Sequence, residues 1–91
     1  MNVLDYVIWY EMRPSDGWVK RMHGRVLTIR AEGVDVEVGR SRIVEVRGAI
    51  AASAPTLAEL DHKLQELRET HPAEQTIRDQ FEARYGTGTR A

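Results

Sequence analysis

The spacing of apolar residues changes period once, at Thr56, and that change restricts the fold more than any other feature of the chain. Before it, apolar and polar residues alternate with the period of two that belongs to extended strands. Leu4, Tyr6, Ile8, Tyr10 and Met12 fall on one side of residues 3–12, with Asp5 and Glu11 among the intervening positions. The side chains are rich in β-formers. Val7 and Trp9 make the second side partly apolar too. Arg13-Pro14-Ser15-Asp16-Gly17 has the residues of a reversing turn, since proline fixes φ and glycine accepts a positive one. The strand pattern resumes over residues 18–22 and again after His23-Gly24, where the glycine predicts either a bulge or a tight turn. Val34, Val36 and Val38 then alternate with Asp35 and Glu37. Gly39-Arg40-Ser41-Arg42 turns the chain, and Val44, Val46, Gly48 and Ile50 alternate with Glu45, Arg47 and Ala49. This is the pattern of a half-exposed antiparallel hairpin, with Asp35 and Glu37 placed to pair across it with Arg42 or Arg47.

Beyond the small-residue connection 49–55 the period becomes helical. Thr56 and Glu59 form a T-x-x-E capping box, and Leu57, Leu60, Leu64 and Leu67 make one stripe. The spacing predicts a helix over about residues 57–70. His71-Pro72 ends it, with His71 suited to cap a second helix and Pro72 to begin it. Ala73, Ile77, Phe81 and Tyr85 recur every fourth residue in that helix, Glu74–Arg78 and Arg78–Glu82 are read as surface pairs, and Gly86 is a stop signal. The fold class expected is α+β: an antiparallel β-meander of about four to five strands, followed by two amphipathic helices packed on one sheet face. Residues 1–86 form a single domain, and 87–91 are expected to be a disordered tail.

With 91 residues, 42% hydrophobic and 30% charged, the chain has the composition of an ordinary soluble domain. There is no cysteine, which removes disulfides and thiol chemistry. No apolar run approaches the ~20 residues that span a bilayer, and Asp5 interrupts the opening stretch. A soluble cytoplasmic protein, bacterial in type, is therefore expected, with no membrane partner. The net charge of −1 supplies no global attraction to nucleic acid.

Chemistry-bearing constellations are sparse. His62 and Glu66 stand one helical turn apart, a chelating spacing without a third ligand. His23 lies beside a glycine, as turn residues do. Ser15, Ser41 and Ser53 occupy no nucleophile context, and neither a phosphate loop nor a dinucleotide fingerprint occurs. No catalytic, cofactor-binding or metal-binding residues are assigned, and no cofactor is expected. Lys20, Arg21, Arg25, Arg40 and Arg42 are candidate nucleic-acid contacts if the strands bring them together near Trp9 or Trp18. Val7, Trp9 and Trp18 are the candidate interaction surface, because the leucine stripe can roof only one face of the sheet.

The run Ser53-Ala54-Pro55-Thr56-Leu57-Ala58-Glu59-Leu60, entering the helix to Leu67, resembles the strand-to-helix junction of HicB-type antitoxins. The hairpin Val34–Ile50 departs from that family's short pattern, and its Pro-Gly-Cys strand end is missing. The resemblance would imply a toxin-binding regulator. From the residues themselves, a non-catalytic interaction or assembly module is expected, self-associating as a homodimer or bound to a protein partner. The alternatives are a nucleic-acid-binding accessory domain and a small enzyme or ligand binder with a cleft between sheet and helices.

Overall fold

The computed structural model describes residues 1–86; the expected tail at 87–91 lies outside the described residues. Five strands come first: β1 (Tyr6–Met12), β2 (Val19–Ile29), β3 (Val34–Val38), β4 (Arg42–Val46) and β5 (Ala52–Ala54). Two helices follow, α1 (Leu57–Thr70) and α2 (Pro72–Tyr85). The sheet is antiparallel throughout, in the order β4-β3-β2-β1-β5. The α+β architecture expected from the change of period is the one observed.

Positive-φ glycines set two of the three hairpins, β1–β2 and β3–β4. Gly17 has φ +73° and Gly39 φ +69°. In the first turn Arg13 and Asp16 pair at 2.8 Å, and Asp16 also accepts from the Trp18 backbone N–H. His23-Gly24 is neither a turn nor a bulge. β2 runs straight through it, and the irregularity falls between Val26 and Thr28. Gly24 has a different reason to be glycine. A Cβ there would lie 2.4 Å from Val36 Cγ1 and 2.5 Å from the Glu37 carbonyl oxygen. The expected strand over residues 3–12 begins only at Tyr6, because Leu4 has φ +73° and its N–H donates to the Val26 carbonyl.

The sheet cannot be flat. β4 and β5 are its opposite edges, joined by residues 47–51 alone. Four strand spacings are ~19 Å, and six Cα steps reach at most ~20 Å. The connection must also travel along the strands, since Val46 pairs with Val34 near the far end of β2 while Ala52 pairs with Ile8. The sheet therefore curls, and its concave face closes on itself. Val7, Trp9, Val26, Val34, Val36 and Val46 form that core, with Met22, Val38 and Ile50 packed around it.

This corrects the expectation that Val7 and Trp9 form an open interaction face. Val7 is 0% and Trp9 2% exposed, and the Trp9 indole N–H donates to Glu11 at 3.0 Å. The convex face carries a second core of Ile8, Ala54 and Leu60, flanked by Tyr6, Tyr10, Ala52, Leu64 and Leu67. The leucine stripe does roof the sheet, but over Ile8 and β5 rather than over the hairpin valines. The connection expected at 49–55 contains a strand of its own, β5, paired to β1.

Thr56 caps α1 as the sequence indicates, its hydroxyl accepting from the Glu59 N–H at 3.2 Å. His71 caps α2 through Nδ1, which accepts from the Ala73 N–H at 3.1 Å. On the hairpin, Arg30 bridges Asp35 at 2.6 Å and Glu45 at 2.8 Å, two carboxylates that face each other across β3 and β4. The cross-strand pairs expected from Arg42 or Arg47 to Asp35 and Glu37 do not form; Arg47 pairs with Glu45 at 3.0 Å. Replacing Gly24 by alanine forces β2 and β3 apart, so Gly24→Ala should lower unfolding free energy by about 1–3 kcal/mol. A denaturant titration followed by tryptophan emission reads this as an earlier midpoint.

Candidate functional site

α2 is fastened to the sheet by polar side chains rather than by its apolar stripe. Glu74, expected on the surface beside Arg78, is the one charged residue that is buried among the described residues, at 5% exposure. Its carboxylate accepts from the Tyr10 hydroxyl at 2.6 Å and from Arg21 Nη1 at 2.6 and 2.9 Å. The Tyr10 ring stacks on His71 with centroids 4.7 Å apart. Burial pushes the Glu74 carboxyl up, but the hydrogen bonds from Tyr10 and Arg21 and the charges of Arg21 and Arg68 outweigh it, leaving it below its ordinary value. Burial and the same hydrogen bond push the Tyr10 hydroxyl up.

One turn and a half further on, Gln80 does the work of a neighbouring strand. Its Oε1 accepts from the Val19 N–H at 2.7 Å, and its Nε2 donates to the Val19 carbonyl at 2.9 Å. The reason lies in the sheet register. β3 accompanies β2 only from Arg25 onward, so Val19 to Gly24 have a strand neighbour on the β1 side alone. Backbone groups of alternate residues point to the same edge. Val19, Arg21 and His23 therefore turn their N–H and C=O groups toward the vacant side, and Gln80 satisfies only the first of the three.

Two concavities flank this open edge. The larger, about 460 Å³, includes Tyr6, Arg21, His23, Arg25, Leu57 and Leu60 in its lining. Its volume lies within the ~300–1,000 Å³ of ligand sites. Leu57, the first residue of α1, is 57% exposed at its lip. Arg25 stands over the Tyr6 ring at 5.3 Å and donates to the Leu4 carbonyl at 3.3 Å. Among the described residues Arg25 forms no ion pair, although Glu37 is its cross-strand neighbour. The smaller concavity, about 170 Å³, lies at the other end of the edge and includes Trp18, Val19, Ile77, Gln80 and Phe81. Trp18 is half-buried there, with the Arg84 guanidinium 4.3 Å from its ring centroid.

The arginines named as nucleic-acid contacts do not converge. Arg21 is committed to Glu74. Arg25 shares a sheet face with Glu37 and Ile43, whereas Arg42 pairs with Val38 on the opposite face, and Arg40 sits in the hairpin turn. His62 and Glu66 lie 4.0 Å apart and are 82% and 71% exposed. Among the described residues no three potential ligands gather for a metal, and no helix is long and apolar enough to cross a membrane. With Val7 and Trp9 enclosed, the exposed large apolar side chains include Met12, Ile43, Phe81 and Tyr85.

Comparison with known proteins finds no family model, no curated protein and no solved structure that matches the chain. The antitoxin-like reading rests on the junction Ser53–Leu67 alone.

Removing the Glu74 charge leaves Arg21 without its partner. Glu74→Gln should cost about 3 kcal/mol, the lower end for a broken buried pair because Arg21 keeps 27% exposure. A group whose folded pKa is depressed adds stability above its unfolded value and loses it as pH falls through the folded one. The wild-type chain should therefore lose stability on acidification below about 4.5, the ordinary value of this carboxyl. Denaturant midpoints measured from pH 6 to pH 2.5 should fall less steeply for Glu74→Gln.

Proposed function

We propose that this chain is a non-catalytic protein-interaction module, and that its partner docks in the concavity bounded by α1, β2 and the end of β3. What supports the reading most is one combination: an apolar floor of Tyr6 and Leu60, the exposed lip of Leu57, and an arginine, Arg25, that forms no ion pair among the described residues. Interfaces concentrate aromatic, aliphatic and arginine side chains in this way. The site holds no base beside a nucleophile, so recognition suits it better than turnover. Panning a random peptide library on the immobilised chain tests the reading. Peptides enriched on the wild type should not be retained by Leu57→Glu, a change that suits a helix N-terminus and should leave the thermal midpoint within a few degrees. Enrichment indifferent to Leu57→Glu would overturn it.

A second reading, self-association, now draws on different residues from those first expected. Phe81 and Tyr85 are 57% and 66% exposed and lie with ring centroids 5.0 Å apart on one flank of α2. Arg78 and Glu82 border them, so antiparallel pairing of two copies sets Arg78 of one beside Glu82 of the other. Sedimentation equilibrium at 10–200 μM should then give a mass above 10.4 kDa that Phe81→Glu returns to the monomer value. A monomer throughout would remove this second reading and leave the first intact.

A further inference from the structure

The unpaired stretch of β2 gives the docking site a specific occupant. Val19 to Gly24 have β1 on one side and no strand on the other, because β3 departs at Val38 into the Gly39 turn. Gln80 closes the Val19 end of the gap with an amide that both donates and accepts, the pairing a strand would make. Between that amide and the first β3 pair at Arg25–Glu37, the N–H and C=O groups of Arg21 and His23 face the gap. Both concavities open along this line, the smaller at Val19 and the larger at His23. Lys20 and His23 are exposed, and Arg21 and Met22 are half-buried.

Exposed strand edges accept extended peptides by backbone pairing, with alternate side chains entering the flanking hollows. A short segment lying here would continue the line of β3 toward Gln80. Charge selects among occupants. Lys20, Arg21, His23 and Arg25 succeed one another along the edge, and among the described residues only Arg21 has a carboxylate committed to it. A second copy is disfavoured: antiparallel pairing of this edge with itself, centred on Met22, sets Arg21 opposite the other copy's His23 and Lys20 opposite its Gly24, and brings no carboxylate to the basic side chains. An acidic segment meets complementary charge.

Resting on the docking reading above, we infer that β2 takes up an extended, acidic peptide segment of a partner protein as an added strand between Gln80 and β3. The residue of that segment opposite Arg21 or His23 directs its side chain to the convex face, where Arg25 receives a carboxylate and Leu57 with Tyr6 an apolar neighbour. The added backbone pairs satisfy the Arg21 and His23 groups that the chain itself leaves facing the gap.

The test uses the isotope-labelled full chain and three synthetic peptides: an acetylated, amidated Glu-Val-Glu-Val-Glu, its lysine counterpart, and a glutamine counterpart. Amide chemical shifts and hydrogen exchange are the readouts. The acidic peptide should shift and protect the Arg21 and His23 amides, with affinity that falls several-fold in Arg25→Gln and on raising salt. His23→Pro is the blocking variant. Its nitrogen faces the gap and not β1, so proline is tolerated as at a solvent-facing strand edge, while the donor is lost. Thermal melting confirms that it folds, and binding should disappear. Equal binding of the lysine or glutamine peptide would overturn the acidic assignment. Shifts at Tyr6 and Leu57 without protection of Arg21 and His23 would overturn strand addition while leaving a partner in the concavity. No shifts at millimolar peptide anywhere along β2 or α1 would overturn both.

Discussion

Five residues, 47–51, fix the shape of this domain. They must carry the chain from one edge of a five-stranded sheet to the other, and their reach is too short for a flat sheet. Curling is the only solution, and everything else depends on it. The concave side becomes a self-contained core, so Val7, Val26 and Val36 reach 0% exposure without any helix covering them. The helices are left with the convex side, where Leu60 seals Ile8 and Ala54. A small domain thus gains two cores from one sheet, which offsets the low burial expected at this chain length.

β3, with five residues against eleven in β2, leaves the first half of β2 without a second strand neighbour, and α2 covers part of it. Its apolar stripe is weak, with Phe81 and Tyr85 pointing away from either core. Instead Glu74 and Gln80 hold it down, one to Tyr10 and Arg21, the other to the backbone of Val19. Hydrogen bonds to a buried charge are stronger than neutral ones, so this fastening fixes the orientation of α2 as apolar contact alone would not. It also closes one end of the vacant edge and leaves the middle open. Stability and docking therefore draw on the same stretch of β2.

The sequence made the elements legible and left their arrangement obscure. Thr56, the leucine spacing and Pro72 marked both helices, and His71 was recognisable as a cap because it precedes the proline. The strands followed from alternation. Which face each strand shows to which core did not follow, because Val7 and Trp9 look the same whether a partner or a curled sheet covers them. β5 escaped notice because three small residues carry no periodic signal. Glu74 was unreadable for a related reason: with Arg78 four positions on, it has the spacing of any solvated helix pair, and only the tertiary approach of Tyr10 and Arg21 buries it. The open edge is a matter of register, set by where β3 ends, and no local pattern encodes that.

Amide hydrogen exchange along β2, read residue by residue in the free protein, bears most directly on this account. Lys20, Met22 and Gly24 should exchange slowly, because their N–H groups face β1, while Arg21 and His23 between them exchange orders of magnitude faster. Uniform slow exchange from Lys20 to Gly24 would mean that the gap is already filled, and the open edge would not exist.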